Sequence, residues 1–194
     1  MCSSDLRLLL FGGIVPAHAA AAAQAGVEVV THDIEVVRAL GAAATARGAT
    51  VAIHVKVDTG MHRLGIEPEA VAGLLAATAS IAGVRVVGLC SHFAMAESVT
   101  TDVTAGQLER LLSAARAAAD TGQRFERHLA NSAAIMTRSD AHLDMVRPGL
   151  MLYGLYPDAS LRGKADLHPV MKLMAPVVRV AEVAAGEGIG YGHT

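Results

Sequence analysis

The feature that most constrains the fold is a repeated alternation of short β-prone runs with alanine-rich helical stretches. VEVVTH precedes IEVVRALGAAATARG within residues 27–48, and VAIHVKVDTG precedes PEAVAGLLAATASIAG within residues 51–83. The same pairing recurs from LRLLLFGG at 6–13 to LDMVRPGLMLYG at 143–154, which gives six predicted strands. Strands that alternate with helices in this way form parallel sheets, so the sequence predicts an α/β protein.

An open doubly wound sheet and a (β/α)8 barrel both fit this alternation. The first βα turn, FGGIVPA, lacks the G-x-G-x-x-G phosphate loop of a dinucleotide-binding sheet, and polar residues instead follow several different strands. We therefore expect residues 1–168 to form an incomplete TIM barrel with about six of the eight βα units. From Pro169 onward strand-like runs follow one another without helices, so residues 169–194 are expected to begin a β-rich C-terminal domain.

Composition and charge narrow the classes of partner and compartment. The chain has 194 residues and a net charge of −2, and its charges alternate in sign, so neither nucleic acid nor an anionic membrane is expected as a partner. Only Cys2 and Cys90 are present, which favours a reducing compartment and predicts a cytoplasmic location. The N-terminal apolar run also fits a signal peptide, but a buried strand followed by a helix from Pro16 is the preferred interpretation.

The stretch HVKVDTGMHRLG places unusual polarity at the end of an apolar strand. Lys56 alternates with His54 and should project to the same side of the sheet, whereas Arg63 follows a turn in which Gly60 and Gly65 are expected to adopt positive φ. One interpretation is a turn held by salt bridges. The other is an anion or oxygen clamp, because the guanidinium group of arginine suits that role.

Three later strand ends carry further polar groups. His92 follows GLCS, and a single histidine there is either hydrogen-bonded structure or part of a site. Asn131 and Ser132 lead into a helical segment, so the Ser132 hydroxyl either caps that helix or contacts a phosphate. Arg147 precedes the turn at Pro148 and Gly149, whose amides suit an anion. Together these strand ends favour a phosphorylated ligand; no metal site is predicted.

Five ordered segments carry a family resemblance. HVKVDTGMHRLG, GLCSHFA, HLANSAA, MVRPGLMLYG and GIGYGHT resemble the signature segments of bacterial alanine racemase, a pyridoxal 5'-phosphate enzyme of fold type III. The resemblance implies a homodimer that interconverts L-alanine and D-alanine by two-base proton transfer and supplies D-alanine for peptidoglycan. Its partner would be a small-molecule amino-acid substrate.

The resemblance assigns roles to residues around the cofactor ring. Arg63 would contact the phenolic oxygen, and Lys56, which is carbamylated in some members of the family, would hold Arg63 in position. Arg147 would donate to the pyridine nitrogen. His92 would connect Arg147 to Tyr191, the tyrosine that exchanges a proton at the substrate α-carbon.

The resemblance also assigns a phosphate site. Ser132 and the backbone N–H groups of Gly149 and Leu150 would hold the phosphate of the cofactor, and Asn131 would support that wall.

One family motif is missing from this sequence. The cofactor lysine of the family lies in a segment similar to V-K-A-x-A-Y-G-H-G, which has no counterpart here, and Lys56, Lys164 and Lys172 do not match it. We therefore expect a fragment that does not racemise alanine by itself. The alternatives are a racemase of broader specificity or one for serine, a non-catalytic pyridoxal-phosphate-binding barrel, and a purely structural α/β domain.

Overall fold

The computed structural model describes residues 6–98, 102–119 and 124–193 of the chain. Five strands form its sheet: β1 (Leu9–Leu10), β2 (Glu28–Thr31), β3 (Val51–Lys56), β4 (Val84–Cys90) and β5 (Glu126–His128). The helices are α1 (Ala19–Ala25), α2 (Ile34–Thr45), α3 (Val71–Ala79), α4 (Val103–Ala119) and α5 (Ser132–Thr137). Short 3-10 helices lie at Pro16–His18, Pro68–Ala70, Ser139–Ala141, Leu150–Tyr153 and Ala159–Leu161.

The strands are all parallel and stand in the order β1-β2-β3-β4-β5, each beside its neighbour in sequence. Helices connect successive strands, as parallel pairing requires. The sheet curls into part of a barrel, which confirms the predicted incomplete TIM barrel. Pro16 begins a 3-10 turn that leads directly into α1, as the sequence predicts, because proline fixes φ near the helical value.

Within the described residues the sheet has five strands, one fewer than the six that the sequence predicted. The predicted sixth strand is reduced to a single parallel bridge between Met145 and His128. Pro148 has no N–H group with which to continue a ladder, and the chain turns there into the 3-10 helix at Leu150–Tyr153.

The two faces of the sheet differ in chemistry because side chains alternate along each strand. Ile53 and Val55 on β3 share the face that the helices cover, and both are fully buried. Ile53 packs with residues of α1 and α2, and Val55 packs with residues of α3 and α4. Burial of each such side chain stabilises the fold by about 1.5 to 3 kcal/mol. His54 and Lys56 alternate with them and face the inner side of the curl, which the helices do not cover.

A register shift in the middle of the sheet makes room for a ring on that inner face. Between Ile53 and His54 the partner on β4 advances from Val86 to Gly88. A Cβ atom at Gly88 would lie 2.0 Å from Nδ1 of His54 and 2.9 Å from the carbonyl oxygen of Glu126. Only glycine fits at this position, because any side chain would displace the imidazole of His54.

Residues 162–193 form no strand and no helix within the part of the chain that the structure describes, and most of them are exposed. The division at residue 169 and the β-rich domain remain predictions. Among the described residues, no helix has both the length and the apolar character needed to cross a membrane. Cys90 is a buried free thiol, and Cys2 lies outside the described residues.

Replacing Gly88 with alanine should lower the free energy of unfolding by about 1 to 3 kcal/mol, because overpacking forces the His54 ring or the strand to move. Urea titration followed by far-UV circular dichroism measures the change. Gly73→Ala in α3 is the matched control, since nothing lies within 4 Å of its added Cβ, and it should stabilise by about 0.5 to 1 kcal/mol. Equal effects at both glycines would contradict the packing argument.

Candidate functional site

A cavity of about 230 Å³ opens at the carboxyl ends of the strands. Its walls come from the segments that follow β1, β3 and β4, and they include Phe11, Lys56, Arg63, Ser91 and His92. The sequence analysis therefore identified three of these five residues, and the parallel sheet brings them to one edge. Such an edge is where parallel α/β folds bind ligands.

Arg147 lies beside the cavity and is held by neutral acceptors. Its Nη2 donates to the carbonyl oxygens of Ser91 at 2.7 Å and Leu129 at 3.3 Å, and it lies 3.4 Å from Nδ1 of His92. Its Nη1 contacts Nδ1 of His128. Burial lowers the pKa of Arg147 to about 10, so the group stays cationic near neutral pH. The result is a fixed cationic donor at the carboxyl end of the sheet.

Lys56 is a buried amine, 6% exposed, whose Nζ has no hydrogen-bond partner among the described residues. Burial and then the nearby Arg147 and Arg63 cations lower its pKa to about 8. The ring of Phe11 lies against both cations, with its centroid 4.6 Å from Lys56 Nζ and 4.3 Å from Arg147 Cζ. Such cation–π contacts partly offset the cost of burial.

The loop after β3 carries Arg63 to the mouth of the cavity, where it is exposed. Asp58 builds the turn, because its Oδ1 accepts the backbone N–H groups of Gly60, Met61 and His62 at 2.9 to 3.1 Å. Its Oδ2 lies 3.3 Å from Nδ1 of His62. Gly60 and Gly65 have φ values of 121° and 133°, which confirms the prediction of positive φ at both. Lys56 makes no hydrogen bond to Arg63 within the described contacts, so its bracing role remains a prediction.

Gln107 on α4 ties the loops after β3 and β4 together. It is fully buried, its Oε1 accepts the N–H of Ala94 at 2.9 Å, and its Nε2 donates to the carbonyl oxygen of His92 at 3.0 Å. The same Nε2 lies 3.4 Å from Oγ1 of Thr59, whose carbonyl oxygen accepts from Arg110 at 2.7 Å. One amide therefore fixes the backbone that carries His92 relative to the loop that carries Arg63.

Asn131 takes the capping role that the sequence left open for Ser132. Asn131 caps α5, since its Oδ1 accepts the N–H of Ala134 at 3.0 Å. Ser132 is buried, and its Oγ accepts the N–H groups of Gly149 at 2.8 Å and Met151 at 3.3 Å. The capping interpretation of Ser132 is therefore wrong, because its neighbour is the cap. Leu150 begins the adjacent 3-10 helix.

His92 and Tyr191 are not brought together. Burial and then Arg147 lower the pKa of His92 to about 4, so its half-buried ring is neutral, and it lies 6.1 Å from the ring of Phe11. Tyr191 is fully exposed, lies outside the cavity and has no recorded contact with His92 among the described residues. The proposed link between them remains a prediction.

Sequence reasoning missed several residues around the cavity. Phe11 and Gln107 carry no motif of their own, and only their contacts reveal them. His54 and His128 were detectable in principle, because each is a histidine within a strand run and His54 alternates with Lys56.

Comparison with known proteins identifies the family. Residues 3–157 match the family described as alanine racemase, N-terminal domain. The chain belongs to this family. The alanine racemase of Chlorobaculum tepidum is 39% identical over 191 residues, which cover 98% of this chain and 50% of that protein. The biosynthetic alanine racemase of Pseudomonas aeruginosa is 40% identical over 98% of this chain and 52% of its own length. The chain thus spans about half the length of the curated racemases it matches.

Solved racemase structures have the same fold. The alanine racemase of Clostridium difficile 630 superposes with a TM-score of 0.91 at 28% identity, over 98% of this chain and 50% of that one. The alanine racemase of Streptomyces coelicolor A3(2) gives a TM-score of 0.88 at 34% identity, over 97% of this chain and 51% of that one. The curled sheet is therefore the part-barrel of the racemase family.

Gln107→Leu should lower the free energy of unfolding by about 1 to 3 kcal/mol, because the Ala94 N–H and the His92 carbonyl lose their partner. Urea titration measures the loss. Gln24→Leu, at an exposed position of α1, is the matched control and should change stability by less than about 0.5 kcal/mol. A loss at Gln107 no larger than at Gln24 would contradict the bridging role.

Lys56 should make stability depend on pH in the alkaline range. Because its pKa falls from 10.5 to about 8 on folding, the unfolded chain binds more protons between these values, and stability rises with pH there. The free energy of unfolding relative to Lys56→Met should therefore increase by about 1 to 3 kcal/mol between pH 8 and pH 10.5. Denaturant titrations at several pH values measure it, with the exposed Lys164→Met as control. A constant difference would contradict the shift.

Proposed function

We propose that the intact protein containing this chain is a pyridoxal 5'-phosphate-dependent alanine racemase. It would interconvert L-alanine and D-alanine as a cytoplasmic homodimer and supply D-alanine for peptidoglycan. The observation that supports this most is the fixed Arg147 guanidinium beside a strand-end cavity, within a chain of the racemase family. A solved structure of a relative, the alanine racemase of Clostridium difficile 630, is a complex with cycloserine.

The chemistry of the donors around the cavity fits this cofactor. Pyridoxal phosphate has three groups that a protein can recognise: a phosphate, a phenolic oxygen and a ring nitrogen. Arg147 offers N–H donors and no acceptor, which suits the ring nitrogen. Arg63 at the cavity mouth is a cation for the phenolic oxygen. Lys56, a buried amine whose Nζ has no hydrogen-bond partner among the described residues, lines the same cavity, which suits a ligand with an anionic or polar group.

The phosphate would be held at the start of α5. Ser132 keeps a hydroxyl hydrogen to donate while its oxygen accepts from Gly149, and the backbone N–H of Leu150 lies in the same turn. Asn131 fixes the start of α5 by capping it, and Ser132 is the next residue along the chain. Hydroxyl and backbone N–H donors are the usual partners of a bound phosphate.

When bound, the cofactor supplies an electron-withdrawing ring that makes the α-hydrogen of the substrate amino acid more acidic. Arg147 cannot readily give up a proton, so facing the ring nitrogen it would leave that nitrogen unprotonated, which would limit electron withdrawal and restrain side reactions. His92, neutral at working pH, would connect Arg147 to Tyr191. Tyr191 would move a proton at the α-carbon in the site of the partner subunit, which agrees with its exposure in this chain.

The second proton-transferring group and the cofactor lysine would come from a segment that this sequence does not contain. Lys56 fills another role in the proposed site, and Lys164 and Lys172 are exposed beyond the last described helix of the part-barrel. We therefore propose that the 194 residues alone do not racemise alanine.

The intact protein, incubated with pyridoxal phosphate and L-alanine, should form D-alanine in a chiral assay, whereas the isolated chain should form none. Ser132→Ala should raise the dissociation constant for pyridoxal phosphate about tenfold, because a charge-assisted hydrogen bond to the phosphate is lost. The exposed Ser80→Ala is the matched control and should leave it unchanged. Absence of D-alanine with the intact protein would refute the function, and turnover by the isolated chain would refute the division of the site.

A further inference from the structure

Four side chains form a hydrogen-bonded row across the inner face of the sheet. Oε2 of Glu28 lies 2.9 Å from Nε2 of His54, and Nδ1 of His54 lies 2.9 Å from Nε2 of His128. Nδ1 of His128 contacts Nη1 of Arg147. We call Glu28, His54, His128 and Arg147 the inner-face row. It runs from the first residue of β2, through β3 and β5, to the guanidinium beside the cavity.

The two ends of the row fix the direction of every hydrogen bond in it. Arg147 can only donate, so Nδ1 of His128 must accept and the proton of that ring must sit on Nε2. This N–H donates to Nδ1 of His54, which places the proton of the second ring on its own Nε2. That proton points at Glu28, which as a carboxylate only accepts. Both imidazoles are therefore neutral Nε2–H tautomers, and all donors point from Arg147 toward Glu28.

Burial makes this direction difficult to reverse. His54 and His128 are both fully buried, with ring centroids 4.9 Å apart and planes at 73°. Burial and then the Arg147 cation lower the pKa of His128 to about 2, which keeps that ring neutral. Gly88 leaves the space that the His54 ring occupies. The strands therefore hold both rings in one arrangement.

The far end of the row is a fixed anion. Arg7 binds both carboxylate oxygens of Glu28, at 2.7 and 3.0 Å, and both oxygens of Glu126, at 2.9 and 3.0 Å. The hydrogen bond from Arg7 is the main cause that lowers the pKa of Glu28 to about 2. Only Glu28 of the two carboxylates contacts His54 among the described hydrogen bonds.

We propose that Glu28, His54 and His128 are positioning residues that orient and polarise Arg147. The carboxylate at the amino end of β2 acts through two imidazoles on the guanidinium at the opposite end of the sheet, because hydrogen bonds in a chain polarise one another. Since none of the described partners of Arg147 is a carboxylate, the row gives its charge an indirect counterpart. The inference rests on the proposed function, in which Arg147 faces the pyridine nitrogen.

The first test needs neither cofactor nor activity. Ring nitrogen shifts of the ¹⁵N-labelled, cofactor-free protein distinguish the two tautomers and the imidazolium, and His54→Asn and His128→Asn variants assign the signals. Both rings should carry their proton on Nε2 at neutral pH. A proton on Nδ1 of either ring, or an imidazolium, would overturn the direction of the row.

The second test distinguishes the effect of the inner-face row from the effect of the ion pairs that Arg7 makes. Glu28→Gln keeps an oxygen that accepts from His54 but removes the charge, whereas Glu126→Gln removes an equal charge from the other partner of Arg7. In the intact protein, Glu28→Gln should shift the absorption band of bound pyridoxal phosphate and raise its dissociation constant about tenfold. Glu126→Gln should change the dissociation constant for pyridoxal phosphate by less than about twofold.

Equal effects of the two substitutions, or a Glu28→Gln variant identical to the parent, would overturn the positioning role. A parent protein that binds no pyridoxal phosphate would instead refute the proposed function and, with it, the cofactor part of this inference. The ring nitrogen shifts would still decide the direction of the row, so the two failures are distinguishable.

Discussion

The structure depends on burying the Arg147 cation beside a cavity, where none of its hydrogen-bond partners among the described residues is a carboxylate. A buried charge is costly unless hydrogen bonds compensate it, and here carbonyl oxygens and imidazole nitrogens provide the compensation. The direct acceptors are neutral, so they hold the guanidinium without neutralising it. Lys56 lines this cavity and its Nζ has no hydrogen-bond partner in the described part of the chain, so burial lowers its pKa. The Phe11 ring contacts both cations and lowers the cost of burying each of them.

Side chains alternate in direction along a β-strand, so β3 contributes to the hydrophobic core on one face and to the candidate site on the other. On β3, Ile53 and Val55 face the helices and form the core, whereas His54 and Lys56 face the inner side. Burying the inner-face row among the apolar side chains of the helix-packed layer would cost free energy, because polar groups there would lack hydrogen-bond partners. On the inner face the rings bond to one another across strands, which requires the register shift at Gly88. Packing on one face thereby fixes the geometry of the other.

Sequence patterns predicted more of the fold than of the site. The βα alternation gave the parallel order and the part-barrel, because local hydrophobic pattern specifies strands and helices. It overcounted the strands, since Met145 reads as strand but Pro148 stops the ladder. Within the site, Lys56, Arg63 and His92 were found as polar strand ends. Gln107 was not, because a buried amide on a helix looks like a surface residue until its loop partners are known.

By itself the sequence determined the α/β class, the strand ends that carry polar groups, and the family to which the chain belongs. These features are local or ordered along the chain, so a pattern of residues is enough to specify them. Only the tertiary structure decided which polar groups meet. Glu28, His54, His128 and Arg147 lie at separate places in the sequence, and strand pairing together with the segment after the Met145 bridge brings them into one row. The direction of the hydrogen bonds in that row follows from its two ends, because Arg147 can only donate and the Glu28 carboxylate can only accept.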